Sequence, residues 1–86
     1  MRLDIYIGQH CTNCQEALVI AAAARGIAGV VVRVIDWDDP CQSVPSRVIA
    51  VPTYVLDDAI VSLGNPDRQT FLAHLHAQEP LQERLA

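Results

Sequence analysis

The chain has no lysine. Its six basic residues are all arginines, at positions 2, 25, 33, 47, 68 and 84, and against ten acidic residues they leave a net charge of −4. Nowhere do they gather into a patch, so the phosphate-neutralising surface that nucleic-acid binding requires is missing. An anionic membrane surface is disfavoured for the same reason. Long apolar stretches are missing as well. The longest uncharged one, Ala17–Ala24, has eight residues, against the roughly 20 of a membrane-spanning helix. The opening MRLDIYIG carries Arg2 and Asp4 and has no apolar signal region. The expectation is a cytoplasmic protein, in a compartment where cysteines are kept reduced. Three cysteines, an odd number, do not make a structural disulfide framework, which points to chemistry rather than stapling. Repeats, linkers and low-complexity segments are also missing. Eighty-six residues, 51% of them hydrophobic, are read as one domain over 1–86, with its core at about 3–78 and a tail at 79–86.

Alternation of Leu3, Ile5 and Ile7 with Asp4 and Tyr6 predicts a first strand over Leu3–Ile7. Cys14–Arg25 is alanine-rich and unbroken by glycine or proline, which predicts a helix, with Gly26 closing it in a left-handed cap. Val30–Ile35 is dense in β-branched residues and reads as a largely buried strand. Asp36–Pro40 opens a loop, and Cys41–Ala50, interrupted by Pro45, has room for a short helix or turn. Thr53–Leu56 and Ala59–Leu63 flank Asp57–Asp58 as a hairpin. Asn65, Pro66 and Asp67 form a helix start, with Asn65 as N-cap and Pro66 in the first helical position. Phe71, Leu72 and Leu75 give that helix its apolar stripe, and Pro80 limits it. The first three elements are a βαβ unit with parallel strands and a right-handed crossover. Together with the hairpin they predict an α/β domain: a small mixed sheet with helices on its faces.

Cys11-Thr12-Asn13-Cys14 falls where the first strand gives way to the first helix. Backbone N–H groups and the positive helix end favour thiolate over thiol there, so Cys11 is the candidate nucleophile. Cys14, three residues on and on the same side of the first turn, is placed to resolve a mixed disulfide by thiol exchange. It is expected to be the more buried of the two. A Cys-x-x-Cys pair is also half of a zinc site, but such sites usually have a second pair at similar spacing. This chain offers only Cys41 and the histidines at 10, 74 and 76. Near a βαβ pattern the redox reading is favoured, and the metal reading stays as its alternative.

Ala50-Val51-Pro52-Thr53 places a proline directly before the third strand, where its missing N–H costs the ladder nothing. With Cys11-Thr12-Asn13-Cys14 after the first strand, Val51-Pro52-Thr53 before the third and Gly64 after the fourth, the sequence resembles a small member of the thioredoxin superfamily, nearer glutaredoxin in size. The resemblance implies a thioredoxin-like fold with a mixed four-stranded sheet, a βαβ unit followed by ββα. It implies a thiol–disulfide oxidoreductase in which Cys11 attacks and Cys14 resolves. The Val51–Pro52 bond would be cis and packed against the cysteines. Val51 and Pro52, with Thr12 and Asn13, would shape the substrate site, the Val51 backbone meeting an extended peptide as an added strand would. No organic cofactor and no metal are called for. The partners implied are a disulfide-containing protein and an electron-donating reductase or small thiol. The alternative is a redox sensor or partner-binding module of the same fold with little turnover, or a cysteine-based metal-binding protein.

The departures from the family pattern are specific. His10 stands where thioredoxins have tryptophan, Thr12-Asn13 replaces Gly-Pro, and Ile5 occupies the place of a buried aspartate. Gly8 stands where glutaredoxins commonly have lysine. Gly64-Asn65-Pro66-Asp67 is a faint echo of their Gly-Gly-x-Asp-Asp segment. His10 either tunes Cys11 as a near-neutral titrating group or is an exposed loop histidine. Cys41 is either a third redox thiol or, by preference, a bystander packed as a small hydrophobe. Trp37, among Asp36, Asp38 and Asp39, is either a docking surface or part of an ordinary acidic loop. His74 and His76 fall on different faces of the last helix and read as solvated.

Overall fold

The computed structural model describes residues 1–77. The expected tail at 79–86 and the stop at Pro80 lie outside them. The elements are β1 (Arg2–Ile7), α1 (Cys14–Arg25), β2 (Val31–Asp36), β3 (Thr53–Leu56), β4 (Ala59–Leu63) and α2 (Arg68–Ala77). They form one mixed sheet in the order β2-β1-β3-β4. β1 runs parallel to β2, with Asp4 opposite Arg33 and Tyr6 opposite Ile35. It runs antiparallel to β3, and β3 pairs antiparallel with β4.

Strand alternation divides the residues between two faces. Leu3 and Ile5 of β1 and Tyr54 and Leu56 of β3 point to one face, where they meet Ala17, Ile20, Ala21 and Ala24 of α1 and Phe71 and Leu75 of α2. The alanines at 17, 21 and 24 let α1 approach the sheet closely, and fully burying a side chain such as Ile20 contributes roughly 1.5–3 kcal/mol. Both helices therefore share a single face, rather than covering both as the sequence suggested. The other face carries Tyr6, Ile35, Val48 and Val55. It is covered by the irregular segment 37–52, which contains turns and no helix. That cover, through Val44, Val48 and Val51, reaches only the end of the sheet nearest the cysteines. At the far end the same face is lined with charge: Arg33 donates twice to Asp4, at 2.8 and 3.0 Å, and Arg2 pairs with Asp4 and Asp58.

Several local expectations need correction. β2 is an edge strand with Val31 and Arg33 exposed, not a largely buried one. Gly26 ends α1 in right-handed backbone (φ −80°, ψ −3°), its N–H donating to Ala23 O at 3.2 Å. The left-handed residue is Gly29 (φ 83°), which turns the chain into β2. The cap of α2 is Asp67, two residues later than predicted: its carboxylate accepts from Thr70 N at 3.0 Å and from Thr70 Oγ1 at 2.8 Å. The hairpin turn is as read, with Asp57 (φ 47°) and Asp58 (φ 71°) both left-handed, as a tight two-residue connection requires. No helix among the described residues is long and apolar enough to cross a membrane.

Candidate active site

β1 ends at Ile7, and the chain crosses the top of the sheet through Gly8, Gln9 and His10 before reaching the cysteines. Two contacts fix this crossing to the acidic loop after β2. Trp37 N donates to Ile7 O at 2.9 Å, and Gln9 N donates to Asp38 Oδ2 at 2.9 Å. The loop is itself internally tied, with Asp38 N bonded to Asp36 Oδ1 at 2.9 Å. Gly8 is needed here for space rather than for backbone freedom. A Cβ on it would lie 3.0 Å from Trp37 Nε1 and 3.1 Å from Val51 Cγ2.

Cys11 and Cys14 are joined by a disulfide with a Cα–Cα separation of 5.3 Å, within the ordinary range for such a bond. Cys14 opens α1 and is buried, whereas Cys11 is half-buried and Thr12 and Asn13 are exposed. Cys14 N donates to Cys11 O at 3.2 Å, closing the turn. Asn13, at the cap position, makes no side-chain capping bond. The first-turn N–H groups of α1, which have no partners within the helix, thus lie at the cysteine end. The Val51–Pro52 peptide bond is cis, and the Val51 carbonyl oxygen lies 3.7 Å from Cys11 Sγ. Thr53 anchors this corner by donating its hydroxyl to Ala50 O at 2.6 Å.

An open cleft of about 160 Å³ adjoins Cys11, lined by Gly8, His10, Cys11, Trp37, Asp38 and Val51. The structure therefore brings together Cys11, Cys14, Val51 and Pro52. It places His10 on the exposed wall of the cleft, and Trp37, partly exposed within the acidic loop, also lines it. Cys41 is not packed as a small hydrophobe. It is an exposed free thiol whose backbone N–H donates to Asp39 Oδ1 at 2.9 Å. Among the described residues no three histidine, cysteine or acidic side chains are grouped to hold a metal ion, so His10, Cys11, Cys14 and Cys41 do not converge on one centre. His76 is exposed and His74 half-buried.

Sequence reasoning missed three contributors: Gly8, Asp38 and Asn65. The signal for Gly8 was present, since a glycine just past a strand often marks a close approach. The sequence pattern predicts Asn65 as the cap of α2, a place that Asp67 takes. Its amide instead reaches the cysteine turn, Nδ2 donating to Asn13 O at 2.8 Å while Oδ1 accepts from Tyr54 Oη at 2.7 Å. Burial and the Glu16 carboxylate push the Tyr54 hydroxyl far above the usual phenol range, so it is a permanent donor. A buried aspartate does exist in β1, at Asp4 rather than at the position of Ile5. It is paired with Arg33 on the face opposite the helices.

A disulfide spanning the first turn of a helix, backed by a proline-led strand on a β2-β1-β3-β4 sheet, defines a thioredoxin fold. The family described as Thioredoxin domain matches residues 1–76, and the chain belongs to it. A comparison with curated proteins returned no match.

Proposed function

We propose that the protein is a thiol–disulfide oxidoreductase acting on protein disulfides. The observation that carries this reading is the asymmetry of the Cys11–Cys14 pair, with one sulfur half-buried beside the Val51 carbonyl and the other buried at the helix start. In the reduced form the end of α1 favours the Cys11 thiolate. That thiolate attacks one sulfur of a substrate disulfide; a Cys11–substrate S–S bond forms, and the other substrate sulfur leaves as a thiolate and takes up a proton. Cys14, deprotonated in turn, attacks the Cys11 sulfur and expels the second substrate thiolate. Two electrons and two protons pass to the substrate, and the Cys11–Cys14 disulfide remains. A reductase or a small thiol returns the two electrons.

Pro52 and Val51, with Thr12 and Asn13, form the wall on which an extended substrate segment lies, its backbone meeting that of Val51. His10 borders the same cleft and is available to relay a proton. The acidic surface suits a neutral or basic partner, and a reducing cytoplasm suits a dithiol that must be regenerated. The working form carries no organic cofactor and no metal.

The reading is tested by counting alkylatable thiols by intact mass across a dithiol redox series, with and without chelator. Reversible loss of two thiols at one midpoint, mapped to Cys11 and Cys14 and indifferent to chelator, is expected. Cys14→Ser should then accumulate a mixed disulfide through Cys11 when offered a disulfide protein. Thiols that react only after chelation would replace this reading with the metal-binding one. A pair that cycles without turning over substrate would replace it with a sensor.

A further inference from the structure

Asn65 lies in the link between β4 and α2, and nothing in the exchange chemistry itself requires it. Its amide nevertheless joins the centre of the core to the middle of the Cys-x-x-Cys turn. On one side Oδ1 accepts from the hydroxyl of Tyr54 at 2.7 Å. Tyr54 is fully buried and held edge-on against Phe71, with ring centroids 5.4 Å apart. On the other side Nδ2 donates to the carbonyl of Asn13 at 2.8 Å. A backbone carbonyl only accepts, so the amide has one orientation that serves both neighbours, and the Tyr54 hydroxyl fills the acceptor that this orientation leaves. The Asn13 carbonyl is thereby tied to a rigid part of the molecule.

We propose that Asn65 is a positioning residue for the Cys11–Cys14 pair, holding the Thr12–Asn13 turn closed and so favouring the disulfide over the dithiol. This rests on the pair cycling between those two forms, as the proposed function requires. Reduction breaks the S–S bond and frees the turn to open, and closing it again has to bring two sulfurs together. Tethers restrict that freedom from three directions. Gln9 N on Asp38 holds the chain before Cys11, burial of Cys14 and Ala17 holds it after, and Asn65 pins the middle. A turn with fewer open states presents Cys14 to Cys11 at a higher effective concentration. Removing the tie leaves the open form with more freedom and weakens the disulfide.

The experiment equilibrates the whole protein with reduced and oxidised dithiothreitol. Two electrons and two protons pass from the reagent to the protein, breaking Cys11–Cys14 and closing the cyclic reagent disulfide. Asn65→Ala should lower the equilibrium constant for the protein disulfide roughly three- to tenfold, about 14–30 mV at 29.6 mV per tenfold for a two-electron couple. Tyr54→Phe, which removes one hydroxyl and stands in should Asn65→Ala fail to fold, should shift it the same way by less. The double variant should match Asn65→Ala, because Tyr54 acts through the amide. Urea unfolding of both redox forms separates positioning from general support: the oxidised form must lose more stability than the reduced, by the amount the equilibrium shifts. Equal losses in the two forms, or a constant that is unchanged or raised, overturn the proposal while leaving the oxidoreductase reading in place. A wild-type pair that does not exchange with the dithiol overturns both.

Discussion

Glu16 on α1 and Arg68 on α2 meet in a two-pronged ion pair, Nε to Oε2 at 2.9 Å and Nη2 to Oε1 at 2.5 Å. The pair bridges the outer edges of two helices whose inner faces share one core. The hydrogen bonds from Arg68 hold the Glu16 carboxyl below its ordinary range, and the Thr70 N–H and hydroxyl do the same for Asp67 at the α2 cap.

For such groups the linkage has a definite sign. A carboxyl held low in the folded state adds stability that is present above its unfolded value, near pH 4.5 for Glu16, and is lost as pH falls through the folded one. The urea midpoint should therefore drop on acidification below that point. Glu16→Gln should start lower at neutral pH and fall less steeply. The difference should shrink in high salt, because the pair is at the surface. Parallel pH curves for the two proteins would show that the pair carries no linkage.

Gly8→Ala tests the close approach beneath the cleft. The added methyl must displace the Trp37 indole or the Val51 side chain, and either motion reshapes the ground beside Cys11. We expect kcat/KM for disulfide reduction to fall by up to about tenfold. The fluorescence of Trp37, the single tryptophan, should change with it. Unaltered fluorescence with unaltered turnover would mean that the contact yields without consequence.

Asp4 is 3% exposed, and its carboxylate is compensated chiefly by Arg33. Removing one partner of such a pair strands the other, whereas replacing both by apolar groups removes the problem. Arg33→Met should lower the melting temperature more than the double replacement Asp4→Leu with Arg33→Met. Additive effects in that cycle would show that the two side chains do not depend on one another.

Ile20→Ala removes three carbons from the contact between α1 and the sheet, where the side chain is fully buried. The expected loss is about 2–5 kcal/mol, read from urea unfolding. Leu18→Ala, on the exposed side of the same helix, should change stability by no more than roughly 0.5 kcal/mol. Comparable losses at both positions would contradict the assigned helix face.

The order of elements was legible because each has a local cause: alternation in Leu3–Ile7, alanine in Ala17–Ala24, the Asp57–Asp58 turn. The cysteine pair was legible because its spacing and its place before a helix are one-dimensional facts. What sequence reading misplaced depends on neighbours distant along the chain. β-branched density suggested that β2 was buried, but strand order put it at an edge. Asn65 has the composition of a cap, yet its amide serves Asn13, fifty-two residues earlier, while Asp67 caps the helix. Asp4 is buried because Arg33 lies opposite in the parallel register, and no pattern within β1 announces that.

The face opposite the helices is finished in two different materials: a proline-bearing strap of irregular chain near the cysteines and a lattice of ions beyond it. The strap both closes the core and carries Val51 to the sulfur of Cys11. The placement of Val51 at the cysteine corner and the cover of the second face are therefore one property of residues 37–52. Lengthening this strap to shelter more of the sheet would also shift the Val51 carbonyl beside Cys11. The far end, held by the ion pairs of Asp4 with Arg33 and of Arg2 with Asp58 rather than by hydrocarbon, takes no part in that corner.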